Sequence, residues 1–249
     1  MRFLPSRVRE SREAGTTLPE LLVVVSLFLL IGGLVATTTV FAQRQTGITT
    51  TRQRNTDGAR VAIEAMSKVL RTAIQPSQLQ YGCLTCTGSV SGSAAVTSAS
   101  TTSVRFYGNL DNTAGGGPTI ITFAATLDTA TNTGTLTQTL QKPNAGSAPN
   151  FTYCTPGPSC PVTTRTLVRG LVWPVSPALF TFYDVNGATV AVTSDGTVPA
   201  SSLADIDAVD ITLKVDTPTG YTNAPTTVTN RVQMPNSDTS VRPSATASP

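Results

Sequence analysis

The chain has 249 residues, of which 12% are charged, with a formal net charge of +3 and no histidine. Without histidine, Ser–His–Asp and Cys–His catalysis and most zinc-enzyme ligand sets are excluded, and no basic stripe interleaved with aromatics marks a nucleic-acid surface. Setting aside a leader and a membrane-proximal helix leaves roughly 170 residues, enough for one globular domain, and its low charge and abundant Thr, Ser, Gly and Ala suit an exported β-rich one.

Residues 1–15 carry Arg2, Arg7, Arg9 and Arg12 against Glu10 and Glu13. A short, net-positive flank of this kind stays in the cytoplasm by the positive-inside rule, which puts the rest of the chain outside. From Leu21 to Gln43 there is no charged residue, and a helix of that length reaches about 35 Å, enough to cross a bilayer. Glu20 stands at the start of this span. A carboxylate beside a membrane segment is costly and calls for a partner.

The junction has three readings. A secretory signal peptide would be cut after Val40-Phe41-Ala42, before Gln43, but its apolar region would exceed the usual length of about 7–15 residues. An uncleaved signal anchor is the second. The third places the cut before the apolar segment, and the residues Gly15-Thr16-Thr17-Leu18-Pro19-Glu20-Leu21-Leu22 carry it. This run resembles the signal of type IV prepilins and type II secretion pseudopilins: a basic leader, Gly, usually Phe-Thr-Leu-(Ile or Pro)-Glu-Leu-Leu, then an apolar helix. Thr16 stands where that family usually has Phe.

The resemblance implies cleavage between Gly15 and Thr16 by a prepilin peptidase, with Thr16 the candidate for amino-terminal methylation. It implies that Glu20 is the assembly residue, pairing with the amino terminus of a neighbouring pilin or pseudopilin subunit and so setting register. The implied partners are the peptidase, those subunits, the inner-membrane assembly platform, and membrane lipid before assembly. Pro19 sits in the first helical turn, where a missing N–H costs little. Ser26, Gly32, Gly33 and Thr37 to Thr39 put small residues in the span, which allow close helix approach.

Residues 44–76 are expected to continue the helix into the domain. The stretch from Arg44 to Gly58 is polar and weakly helical by propensity. From Ala59 the apolar positions Ala59, Ala62, Ile63, Met66, Val69, Leu70 and Ala73 recur at three- and four-residue steps. Arg60, Glu64, Lys68 and Arg71 fall opposite, with i,i+4 pairs available at Arg60–Glu64 and Glu64–Lys68. Pro76 is the expected stop.

A β-rich domain is expected over residues 77–236. Gln80 to Thr102 reads as loop, Val104 to Tyr107 as a strand, and Asp111 to Pro118 as a turn. Thr119 to Leu127 and Gly134 to Gln141 read as a hairpin, Lys142 to Pro161 as loop, and Thr164 to Val172 as a strand. The clearest hairpin is Leu179 to Val190, an aromatic strand, an Asn186-Gly187 turn and a return strand. Ile206 to Val215 and Tyr221 to Met234 complete the strands, with Pro225 favouring an edge or a break. Residues 237–249 form a Ser/Thr/Pro/Ala tail with little to anchor it. The fold class is therefore α+β: a long N-terminal helix, half membrane and half amphipathic, packed on an antiparallel sheet. The order Phe180 to Gly187, Ile206 to Val215 and Thr226 to Val232 resembles minor J-type pseudopilins and W-type minor pilins, and Glu20 separates the chain from the K-type.

Cys83, Cys86, Cys154 and Cys160 in an exported chain predict two disulfides. Local pairing gives Cys83–Cys86 with Cys154–Cys160, and crossed pairings between the two loops stand beside it. A four-cysteine metal site is the competing reading, for which the Cys154/Cys160 spacing is wide. Asp205, Asp207, Asp210 and Asp216 form an acidic cluster without EF-hand spacing and read as a solvent-facing strand edge. No metal, cofactor or catalytic constellation is indicated.

A structural role follows from the resemblance: a minor type IV pilin or pseudopilin, with no catalysis of its own, in or at the tip of a filament for adhesion, secretion or DNA uptake. Its implied location is the cytoplasmic membrane, single-pass with the C-terminal domain outside, and then a surface pilus or a periplasmic or cell-wall pseudopilus. A membrane-anchored exported binding or adhesion domain that does not polymerise is the alternative, and an anchored hydrolase using carboxylates a weaker one.

Overall fold

The computed structural model describes residues 17–75, 94–110, 117–145, 151–155, 157, 159–216 and 224–236. The leader, Gly15, Thr16, Cys83, Cys86 and the 237–249 tail lie outside the described residues. The chain divides into two compact units at Thr49/Thr50. Helix α1, Leu18–Leu70, begins in the first and ends in the second.

In the first unit α1 is apolar on every side from Leu21 to Ala42. From Leu18 to Thr46 every residue is exposed, including Leu22, Phe28, Leu29, Ile31, Leu34 and Phe41. An all-round apolar helix has no face to turn to water and belongs in a core or a bilayer. By length and hydropathy this helix can cross a membrane, which is consistent with a single-pass anchor.

In the second unit the helix becomes one-sided. Ala59, Ala62, Ile63, Met66, Val69 and Leu70 are all buried, and so is Ala73 beyond the helix end. Val61, on the other face, is 66% exposed. These are the positions that the three- and four-residue spacing selects. The polar stretch before them is also helical, without a break at Gly47, Asn55 or Gly58. The charged pairs are different: among the described residues the ion pair within 4.0 Å is Arg231–Asp210, so Arg60, Glu64 and Lys68 stand apart.

The helix also stops at Leu70, six residues before Pro76. The cause is competition for main-chain groups. The Ile74 amide donates to the Tyr107 carbonyl (2.9 Å), the Asn109 amide donates to the Thr72 carbonyl (2.9 Å), and Ala73 bridges Gly108. Pairing with the sheet replaces the last helical turn. At Gly108 a side chain would press on Ile121 and Thr72, so this crossing needs a residue without one.

The sheet is antiparallel throughout. Strands β1 (Val96–Ala99), β2 (Ser103–Gly108), β3 (Thr119–Asp128), β4 (Thr133–Gln141) and β5 (Val162–Leu171) form a meander. Strand β7 (Ala208–Val215) meets β5 at one pair, Leu171 with Val215, and pairs β6 (Phe180–Tyr183) on that same side. Its other side carries β8 (Thr226–Gln233) along its full length. A 3-10 helix, Ala200–Asp205, leads into β7. Phe106, Phe123, Leu136, Phe180, Phe182, Ile211 and Leu213 join the helix residues in one core.

Strand β1 falls in the stretch read as loop, because its sequence Val-Thr-Ser-Ala lacks a period-two signal and pairs only through β2. The β3–β4 hairpin is as expected, as are β2, β5 and β7 within two residues. The Asn-Gly hairpin is half right. β6 forms, but the return segment makes only a bridge, Tyr183 to Thr189, and β6 takes β7 as its ladder partner. The turn is a three-residue loop: the Gly187 amide donates to the Asp184 carbonyl and Gly187 has φ 78°, the arrangement in which a type I turn is followed by a left-handed glycine. The Asp184 carboxylate fixes it by accepting from the amides of Asn186 (2.9 Å) and Ala188 (2.8 Å).

Truncating the buried helix face tests this core. Leu70→Ala should cost about 2–5 kcal/mol, whereas Val61→Ala on the exposed face should stay within about 0.5 kcal/mol. Denaturant unfolding of the detergent-solubilised chain measures both.

Candidate functional site

The start of α1 is built by Thr17. Its carbonyl accepts from the amides of Glu20 (3.0 Å) and Leu21 (3.2 Å). Thr17 is thus the cap residue and Pro19 the second helical position, one of the four whose amide would have no helical acceptor. Thr17 and Glu20 have the spacing of a capping box, yet neither side chain makes that bond. The exposed Glu20 carboxylate has no hydrogen-bond or ion-pair partner among the described residues.

Between Leu21 and Ala42 every polar side chain is satisfied within the helix. The Ser26 hydroxyl donates to the Leu22 carbonyl (2.8 Å), Thr37 to Leu34 (2.9 Å), Thr38 to Val35 (2.9 Å) and Thr39 to Val35 (2.8 Å). Such back-bonding lets hydroxyls sit in hydrocarbon without an unmet donor. Gly32 and Gly33 have nothing near the position of an added Cβ, which leaves the backbone there open to close approach. Glu20 is therefore the one charged group in the described apolar span, and its partner must come from elsewhere.

Of the predicted cysteine pairs the described residues contain one. Cys154 and Cys160 form a disulfide with Cα atoms 5.5 Å apart, as local pairing expects, which removes both from any metal site. Gln141, buried at the end of β4, anchors this loop: its amide donates to the Cys154 carbonyl (2.6 Å) and lies 3.3 Å from the Cys160 sulfur. Tyr153 in the same loop packs against Tyr107 and donates to the Pro118 carbonyl (2.5 Å). Burial pushes the Tyr153 hydroxyl well above its ordinary pKa, with the neighbouring Tyr107 adding to it.

The acidic residues do not act together. No three His, Cys, Asp or Glu side chains converge among the described residues. Asp210 is taken by Arg231 in a two-point contact, Nε to Oδ1 at 2.6 Å and Nη2 to Oδ2 at 2.8 Å. The same guanidinium lies 3.8 Å from the centre of the Tyr183 ring. Asp207 accepts from Gln233 (3.3 Å), and Asp205 is exposed. Asp207, Asp210 and Asp216 are half-buried, so the cluster is less open than a solvent-facing edge. The Arg231 contact was not legible in sequence, because the two residues are 21 apart and meet only through β7–β8 register.

Set against family models, curated proteins and solved structures, the chain matches none of them.

Two checks follow. Trypsin leaves Cys83 and Cys86 on fragment 72–105 and Cys154 and Cys160 on fragment 106–165, since Lys142 precedes a proline. Non-reducing mapping should find fragment 106–165 unlinked and lighter by the two thiol hydrogens. The second concerns acid. The Arg231 hydrogen bond holds the Asp210 carboxyl below its usual range, so the stabilisation is present above the unfolded carboxyl pKa, near 4, and is lost as pH falls through the lower folded value. Asp210→Asn should lower the thermal midpoint by about 1–3 °C at neutral pH, small because the pair is partly exposed, and the difference should vanish in strong acid.

Proposed function

We propose that this chain is a minor subunit of the type IV pilin or type II secretion pseudopilin class, cut between Gly15 and Thr16 by a prepilin peptidase and then built into a filament or its tip. One observation carries the reading: an exposed apolar helix satisfies its own hydroxyls and leaves a single carboxylate, Glu20, without a partner among the described residues at its first turn. An amine freed at Thr16 of a neighbouring subunit is a partner of the right charge, and in a low-dielectric setting the two attract strongly. The apolar segment then serves first as membrane anchor and afterwards as filament core. Thr16 is the candidate for methylation, and the assembly platform and other subunits are the partners. The β-domain, outside the membrane, supplies whatever adhesion, secretion or uptake contact the filament makes, and the role is structural rather than catalytic.

Amino-terminal sequencing of the mature protein should begin at Thr16. A start at Met1 would favour the anchored, non-polymerising domain, and a start at Gln43 an ordinary signal peptide. Glu20→Gln keeps the shape and removes the charge. Breaking a buried pair by removing one partner costs about 3–5 kcal/mol, so incorporation into sheared filaments should drop by about a hundredfold or more while cleavage continues. Undiminished incorporation would remove Glu20 from the assembly contact.

A further inference from the structure

Strand β8 pairs with β7 from Thr226 to Gln233 and, among the described residues, with nothing on its other side. Strand β5 is also open on its side away from β4 before Leu171, but the edges at β1 and β6 are covered. Beside β1, the Thr101 amide donates to the Gly196 carbonyl, the Val198 amide to the Ala99 carbonyl, and Ser100 bridges Thr197. Beside β6, the Phe180 amide reaches the Thr101 carbonyl and the Val190 amide the Phe182 carbonyl.

Hydrogen-bond parity shows what β8 presents. The Thr212 amide donates to the Leu179 carbonyl and the Asp216 amide to the Gly170 carbonyl, so the even residues of β7 face β5 and β6. The odd ones, Val209, Ile211, Leu213 and Val215, face β8 and exchange bonds with Val232, Asn230, Val228 and Thr226. The amides and carbonyls of Thr227, Thr229 and Arg231 must then point to the open edge. That edge carries none of the usual blocks within the strand, neither lysine nor proline. Its one charge, Arg231, is held by Asp210 and Tyr183.

Between this edge and the flank of α1 runs a groove of about 580 Å³, lined by Arg60, Glu64 and Lys68 on the helix, by Arg71 just past its end, and by Val228 to Asn230 on β8. The Asn230 amide donates to the Ser67 hydroxyl (3.0 Å) at its floor. Three cations face one carboxylate, and all four are exposed.

We propose that the β8 edge takes up an extended acidic segment of a protein partner by strand addition. Main-chain bonds to Thr227, Thr229 and Arg231 supply affinity, and every second side chain of the incoming strand turns toward Arg60, Lys68 and Arg71, which selects carboxylates. The inference concerns the domain alone and stands whether or not the chain polymerises.

The test uses the full chain in detergent micelles and a fluorescent decapeptide of alternating Glu and Val, read by anisotropy. Its companions are the Lys/Val version, two forms N-methylated on one or the other set of alternate amides, and a DNA duplex. The acidic peptide should bind at least about tenfold more tightly than the Lys version, a difference of about 1.4 kcal/mol, and weaken with salt. One N-methylated form should lose at least about tenfold and the other should bind as the parent does. Lys68→Glu with Arg71→Glu should reverse the charge preference. Thr229→Pro, whose amide faces outward and so leaves the β7 ladder intact, should abolish binding. No binding of the acidic peptide, equal binding of both N-methylated forms, equal binding of the Lys version, or displacement of the acidic peptide by the duplex would overturn the proposal.

Discussion

A helix can hide its main chain anywhere, but its side chains must be matched to what surrounds them, and α1 changes surroundings along its length. Its first part has apolar side chains on all faces and carbonyls that take up the hydroxyls of Ser26, Thr37, Thr38 and Thr39. Between Leu21 and Ala42 nothing polar asks for water, so hydrocarbon can surround that stretch. From Ala59 one face is buried against the sheet and the other is charged. Everything else follows from this change: a domain that needs only one face of helix to close its core, and a carboxylate at the far end that needs a partner its own span lacks.

The domain manages its polar groups by pairing residues distant in sequence. Arg231 meets Asp210 and Tyr183 across three strands, Asn230 reaches Ser67 on the helix, and Gln141 holds the disulfide loop. Each exploits a β-strand's alternation, which puts one residue in the core and the next on the outer face. Val228, Asn230 and Val232 turn inward while Thr229 and Arg231 turn outward. The same alternation sets which main-chain groups β8 leaves open. The edges at β1 and β6 are covered, and the one at β8 is left free to accept a further strand.

Much of this was legible in the residues. The α+β class, the buried face of α1, the β3–β4 hairpin and the Cys154–Cys160 pairing follow from local pattern, because spacing of three and four along a helix, alternation along a strand and proximity in a loop are properties of the chain itself. Where the reading failed, the cause was tertiary. The end of α1 lies six residues before Pro76 because Thr72 and Ile74 find main-chain partners at the end of β2 and just beyond it, in Asn109 and Tyr107. Strand β1 has no pattern of its own and exists through pairing with β2. The return arm after Gly187 keeps only a bridge and one further bond on one edge of β6, while the full ladder forms on the other edge with β7, which is distant in sequence.

By itself the sequence determined where charge is absent, where apolar residues repeat, and that one carboxylate, Glu20, stands at the head of an uncharged span. Those are one-dimensional facts, and a helix converts them directly into a surface. Only the tertiary structure decided that the β8 edge stays open and which charges gather beside it. Arg60, Lys68 and Arg71 read in sequence as an ordinary solvated helix face. Beside Val228, Thr229 and Asn230, more than a hundred and fifty residues away, they line a groove, because strand register is set by partners across the sheet and not by neighbours along the chain.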